Sequence, residues 1–158
     1  APALLALDAT VEIISKQGGR VEKLSDFFLD YRKTTLRAGE LIKAIHFKLP
    51  VDGQLELFKS SLRKDLDIST VNLGVKLVKV DNKVESILIG AGGVAAIPLR
   101  LRKTESYLLG KSLTDKVISE ACEIAQTEFK PISDVRSSAS YRRIVFENSL
   151  KNILGRYL

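Results

Sequence analysis

Methionine is missing from all 158 residues, the first included, which reads as a processed chain or a piece of a larger one. Cysteine occurs once, at Cys122, so no disulfide can close within the chain. A lone thiol fits a reducing compartment, and the cytoplasm is the expected location. Histidine also occurs once, at His46, with no cysteine or second histidine near it in the sequence. That pattern argues against a histidine–cysteine metal centre, and no metal-ligating residue is expected. It also gives hydrolase chemistry a single candidate base and no nucleophile elbow to serve. No apolar run approaches the ~18 residues that cross a bilayer, so no membrane span is expected. The opening "APALLALDATVEI" lacks the basic flank of a secretory leader.

The formal net charge is +6. A basic balance raises the question of nucleic acid. Here the lysines and arginines are scattered among 19 acids, and no aromatic-basic platform stands out. A solvated basic surface is expected, and no nucleic-acid partner.

Along the chain, "PALLAL" suits a helix end or a buried turn. "ATVEIISKQ" and "RVEKL" alternate as strands, with Gly18-Gly19 as the hairpin signal between them. "SDFFLDYRKTTLRAGE" reads as a loop with aromatic anchors. "ELIKAIHFKLP" has strand composition, although Ile42, Ala44 and Phe47 hold no strict phase; Pro50 closes it. "VDGQ" is the clearest boundary, dividing residues 1–50 from 54–158.

Beyond it, "LELFKSSL", "STVNLGVKLVKV" and "KVESILIGAGG" read as three strands, the last two joined at Asp81-Asn82. Val71, Leu73, Val75 and Leu77 fall on one face. After Pro98 the period becomes helical. "LRLRKTESYLLG" ends at Gly110, "TDKVISEACEIAQTEF" is capped by Ser112 or Thr114, and a last helix runs from about Ser140. Cys122 lies on the apolar side of the second of these, as a small buried thiol would. The last helix carries Tyr141, Ile144, Val145, Ile153, Leu154 and Tyr157 at helical spacing. Helices that follow strands rather than alternate with them give an α+β pattern.

Three stretches carry possible chemistry. "GAGGVA" contains G-x-G-x-x-A after a strand. Pro98 delays the helix, however, and no ribose-binding acid follows at a strand end. A strand end where backbones approach closely is the better reading. "FKSSLRKDLDIST" places Arg63, Lys64, Asp65 and Asp67 in a loop, either solvated or beside a ligand toward which Lys59 is aimed. "PISDVRSSASYRR" sets arginines where the helix macrodipole disfavours them. Asp134 can pair with Arg136 or Arg142, and Ser137 or Ser138 can cap the helix. These groups make a structural clasp.

The same residues resemble a family. "PISDVRSSASYRR" is similar to the P-x-S-D-x-R-x-S-x-x-Y-R segment of the FAD-binding subunit or domain of molybdenum hydroxylases. These are the xanthine dehydrogenases, aldehyde oxidases and carbon monoxide dehydrogenases. "DFFLDYRKTTLRAGELI", "FKSSLRKDLDIS" and "GAGGVAAIPLR" resemble three further family segments in the same order. The D-F-F-x-x-Y-R form points most to the xanthine dehydrogenase branch; the carbon monoxide dehydrogenase medium subunit is also similar.

The resemblance implies the carboxyl-terminal part of an FAD domain. Residues 1–50 would be the tail of the second FAD-binding α/β subdomain. Residues 54–158 would form a carboxyl-terminal subdomain, a three-stranded antiparallel sheet packed with about three helices. The implied function is one wall of the flavin site of an FAD-dependent oxidoreductase, inactive as a fragment. Electrons would pass from iron–sulfur clusters to FAD and on to NAD or oxygen. Implied partners are the amino-terminal FAD-binding half and parts carrying 2Fe-2S and molybdopterin. Two family positions transfer as cofactor-binding residues: an aliphatic side chain on one face of the flavin ring, here Ile42, and a lysine that contacts FAD, here Lys59. The family's paired acids in the loop after the lysine are replaced in part by Leu66. A scaffold or docking module of the same fold that has lost flavin is the alternative.

Overall fold

The computed structural model describes residues 1–49, 53–63 and 66–158. Pro50 and the "VD" of the expected boundary lie outside the described residues, as do Lys64 and Asp65.

The chain opens with α1 (Pro2–Ala6), a single turn with Pro at its start, where the missing N–H costs nothing. Then β1 (Thr10–Ser15) and β2 (Gly18–Lys23) form the expected hairpin. Its two-residue turn is Lys16-Gln17, two residues earlier than the glycine pair suggested, and Gly18 begins the return strand with a positive φ of 134°. The stretch expected as loop holds a short helix, α2 (Leu24–Phe27), and a small hairpin, β3 (Phe28–Asp30) with β4 (Lys33–Thr34). Next, β5 (Leu41–His46) returns beside β1, giving a sheet of order β2-β1-β5.

A second sheet follows: β6 (Gln54–Ser60), β7 (Val71–Val80), β8 (Lys83–Gly92) and β9 (Leu99–Arg100), antiparallel in that order. The three expected strands are present, with β9 as a short fourth taken from residues read as helix. Asp81 and Asn82 form the hairpin turn with both φ values positive, a conformation that Asp and Asn tolerate. Three helices complete the subdomain: α3 (Arg102–Leu108), α4 (Asp115–Thr127) and α5 (Ala139–Gly155). Thr114 caps α4, accepting from the Val117 amide, and Ser138 caps α5, accepting from Tyr141. The architecture is α+β.

The main core lies between this sheet and the helices. Val71, Leu73, Val75 and Leu77 meet Ile118, Ala121, Cys122, Phe146 and Leu150 there, all buried. Each Val, Leu, Ile or Phe among them contributes about 1.5–3 kcal/mol by leaving water. The buried stripe of α5 agrees with the spacing at Ile153 and Leu154, which are buried, and at Val145 and Tyr157, which pack against the core, but not at its start. Arg142, Phe146, Leu150 and Ile153 face inward, while Tyr141 and Ile144 are exposed.

The opposite face of the same sheet receives α1. Side chains are missing there at Gly74 and Gly90, and the backbone of Pro2 and Ala3 occupies their place. A methyl group on Gly74 would lie 2.9 Å from the Pro2 carbonyl oxygen, and one on Gly90 would overlap it. The glycine-rich strand end is therefore a seat for a helix, not a phosphate loop. Leu5, from the same helix, joins Ala9, Val11, Ile13, Leu24 and Phe27 in a second, smaller core under the first sheet. Arg100 ties the two regions further. It forms a bidentate pair with Glu105 at 2.6 Å for each bond and reaches the Leu5 carbonyl at 3.5 Å.

Candidate functional site

The lost phase of β5 has a physical cause. Ile14 faces Leu41 and Ile13 faces Ile42, but Glu12 faces Ala44, so the register shifts at Lys43. The bulge adds one residue and puts Ile42 and Ile45 on one face although they are three apart. Their partners Ile13 and Val11 are core residues, each 1% exposed. Cross-strand partners share a face, so Ile42 and Ile45 point to the core side of the sheet. They are nonetheless 47% and 41% exposed. The inner edge of the sheet is apolar and uncovered along β5. On the outer face, Lys43 and His46 both reach the Glu12 carboxylate, at 2.6 and 2.8 Å, and hold it below its ordinary pKa.

The start of β5 is pinned by Glu40. Arg20 Nε and Nη2 donate to its two oxygens at 3.1 and 2.9 Å, and the Arg37 amide donates at 2.8 Å. The guanidinium of Arg20 is the main reason the Glu40 carboxyl is lowered to about 2. Arg20 also binds Glu22 and the Thr35 carbonyl. Sequence reasoning missed this arginine. Its signal was a positive charge in the return strand of the hairpin, with an acid, Glu40, just ahead of "LIKAI" to receive it.

Lys59 lies on β6, the edge strand of the second sheet, with its side chain exposed. Among the described residues its ammonium group has no ion pair and no hydrogen bond. It lines a cavity of about 230 Å³ with Ala1, Pro2, Ala3, Leu57 and Asn72. The cavity therefore sits at the amino end of α1. Ile42 is not among its lining residues. Ile42 and Lys59 stand on different sheets, and this cavity does not join them.

The loop after Lys59 returns to β7 at Thr70. Asp67 accepts from the Arg63 amide at 2.8 Å and from Ile68, and these bonds keep its carboxyl below the usual range. Arg142, 3% exposed, holds the far end of this loop. It donates to the Thr70 carbonyl at 2.5 Å, to the Gly93 carbonyl at 2.8 Å and to Asp134 at 2.8 Å. Asp134 also accepts from the amides of Arg136 and Ser137, and its carboxyl is lowered by these bonds and by Arg142. The "SDVRSSASYRR" segment is thus the expected clasp. Its function is to lock α5 to the loop ends at Thr70 and Gly93.

A flavin is a flat apolar ring edged with hydrogen-bond acceptors. The uncovered inner edge at Ile42 and the cavity lined by Lys59, whose ammonium has no partner among the described residues, offer both kinds of surface. Each surface suits one part of such a group, and among the described residues this cavity does not reach Ile42.

Comparison with known proteins gives the family. Residues 56–157 match the model of the CO dehydrogenase flavoprotein C-terminal domain, and residues 1–50 match that of the FAD binding domain in molybdopterin dehydrogenase. The glyceraldehyde dehydrogenase medium chain of Sulfolobus acidocaldarius is 34% identical over 145 residues, covering 90% of this chain and 50% of that protein. A xanthine dehydrogenase of Oryza sativa subsp. japonica is 36% identical over 118 residues, covering 70% of this chain and 8% of that protein. The structure of reconstituted CO dehydrogenase from Oligotropha carboxidovorans superimposes with a TM-score of 0.84 at 28% identity, over 96% of this chain and 53% of that one. The chain spans about half the length of the medium chain it matches. It belongs to the FAD-binding flavoprotein family of the molybdenum hydroxylases, as a CO dehydrogenase flavoprotein C-terminal domain preceded by part of the FAD-binding domain.

Proposed function

We propose that this chain supplies one wall of a flavin site in a multi-part molybdenum hydroxylase. Residues 1–50 would complete an FAD-binding subdomain begun upstream, and residues 54–158 would form the carboxyl-terminal subdomain against it. FAD, when bound, supplies the redox chemistry, accepting electrons from iron–sulfur clusters and passing them to NAD or oxygen. The chain's own residues have simpler tasks. Ile42 offers an aliphatic branch to a ring face and excludes water from it. Lys59 sets a positive charge beside the ring, which favours negative charge on the ligand. Arg20 and Glu40 fix the strand that carries Ile42. The cytoplasm would keep Cys122 reduced.

The observation that carries this reading is the half-exposed isoleucine on a core-facing edge. An apolar side chain aimed inward with nothing over it suits a surface completed by another part and by a ligand. The test uses the flavoprotein that includes the upstream half. Ile42→Asp and Lys59→Ala are each expected to lower bound FAD, read from absorbance near 450 nm as a fraction of the wild type. Full yellow colour in both variants would remove Ile42 and Lys59 from the flavin site, and a colourless wild type would leave the family scaffold without the flavin role.

A further inference from the structure

Lys59, Asn72 and Gly92 form one row across three strands. Lys59 faces Asn72 between β6 and β7, and Asn72 faces Gly92 between β7 and β8. Facing residues share a side of the sheet, so all three lie on the side that carries α1. Gly92 has no side chain, and that of Asn72 fills the gap. A methyl group on Gly92 would overlap Asn72 Oδ1 and come within 2.9 Å of Pro2 Cγ. Asn72 is therefore wedged between the glycine and α1 while lining the cavity beside Lys59. Among the described residues its amide has no hydrogen-bond partner. That amide is not a buried orphan; it opens on the cavity, where it is free to meet a ligand.

The chemistry of the pair is one-sided. The ammonium of Lys59 offers three donors and no acceptor, and the Asn72 nitrogen adds two more donors. With Oδ1 over Gly92, the cavity presents donors. We propose that Asn72 is a ligand-binding residue of this cavity, donating with Lys59 to acceptor oxygens of FAD. The proposal rests on the flavin reading above and adds a second polar contact to it. Gly92 then has a definite role: any side chain there would push Asn72 out of the row.

The test is FAD titration of the flavoprotein that includes the upstream half, comparing the wild type with Asn72→Ala, Asn72→Leu and Lys59→Ala. Asn72→Leu keeps the volume over Gly92 and removes the donors. The melting temperature of each apo form controls for folding. Both Asn72 variants are expected to bind FAD about tenfold more weakly, the usual worth of one hydrogen bond to a ligand. A shift of the visible flavin band alongside that loss assigns the contact to ring oxygens, and a loss without a shift assigns it to the phosphates. Wild-type affinity in both Asn72 variants, with Lys59→Ala weakened, overturns the proposal and leaves Asn72 as packing. Wild-type affinity in all three removes the cavity from the flavin site altogether.

Discussion

Arg142 shows how much one buried side chain can fasten. Its guanidinium serves two carbonyls and one carboxylate from three separate loops. Replacement by methionine would leave the Thr70 carbonyl buried and unpaired and would release the Gly93 carbonyl and Asp134 from α5. Arg142→Met is expected to cost about 3 kcal/mol, measured by urea unfolding, with Arg142→Lys recovering part of it. The sequence did carry a sign of this. Arg142 is in phase with Phe146 and Leu150, at four and eight residues, but arginine is seldom buried, so the pattern favours Tyr141 as the core residue. Glu40 gives a pH signature. Its folded pKa, about 2, lies below the ordinary value near ~4.3, so its pairing with Arg20 stabilises the fold fully above that value. The contribution disappears as the pH falls through about 2. Unfolding followed from pH 5 to pH 2 should therefore show a loss of stability that is smaller in Glu40→Gln, which lacks this charge but keeps the lowered carboxyls of Glu12, Asp67 and Asp134.

Among the elements, α1 and the glycines beneath it are the least replaceable. Gly90→Ala would drive a methyl group into the Pro2 carbonyl, where neither backbone can yield. The variant is expected to lose about 1–3 kcal/mol in chemical denaturation, as overpacked sites do. The long strands and two of the helices were legible in the sequence because their apolar periods run for ten residues or more. The close backbone approach at the glycine-rich strand end was legible too, since Pro98 and the missing acid already spoke against a nucleotide loop. The bulge at Lys43 was visible only as a broken phase. Its position depends on the pairing with β1, which no local pattern encodes. The hairpin β3–β4 was hidden for a similar reason: strands of two and three residues are too short to show a period. Of the candidate site, Lys59 was readable as an exposed strand-edge cation. Asn72 was not, because its role comes from Gly92, twenty residues away and one strand over.

At the scale of the whole molecule, the chain has a complete core on the helix side of the second sheet and an incomplete one under the first. Its cavity and its open isoleucine edge are not joined. FAD added to this chain alone should therefore leave its melting temperature nearly unchanged. Thermal unfolding with and without excess FAD checks this, since a ligand stabilises only in proportion to its occupancy of the folded state. A rise of several degrees would mean that these residues alone make a competent site.

The two family segments meet at the boundary between residues 50 and 56, yet the physical seam lies elsewhere. The first helix belongs by sequence to one segment and by packing to the other, as a dovetail belongs to both boards. Gene fusions, splits and domain exchanges in this family should respect the joint and not the boundary. A carboxyl-terminal piece built without that opening turn would display a bare glycine trough. Such a surface invites the nearest free backbone, including that of a second copy of itself.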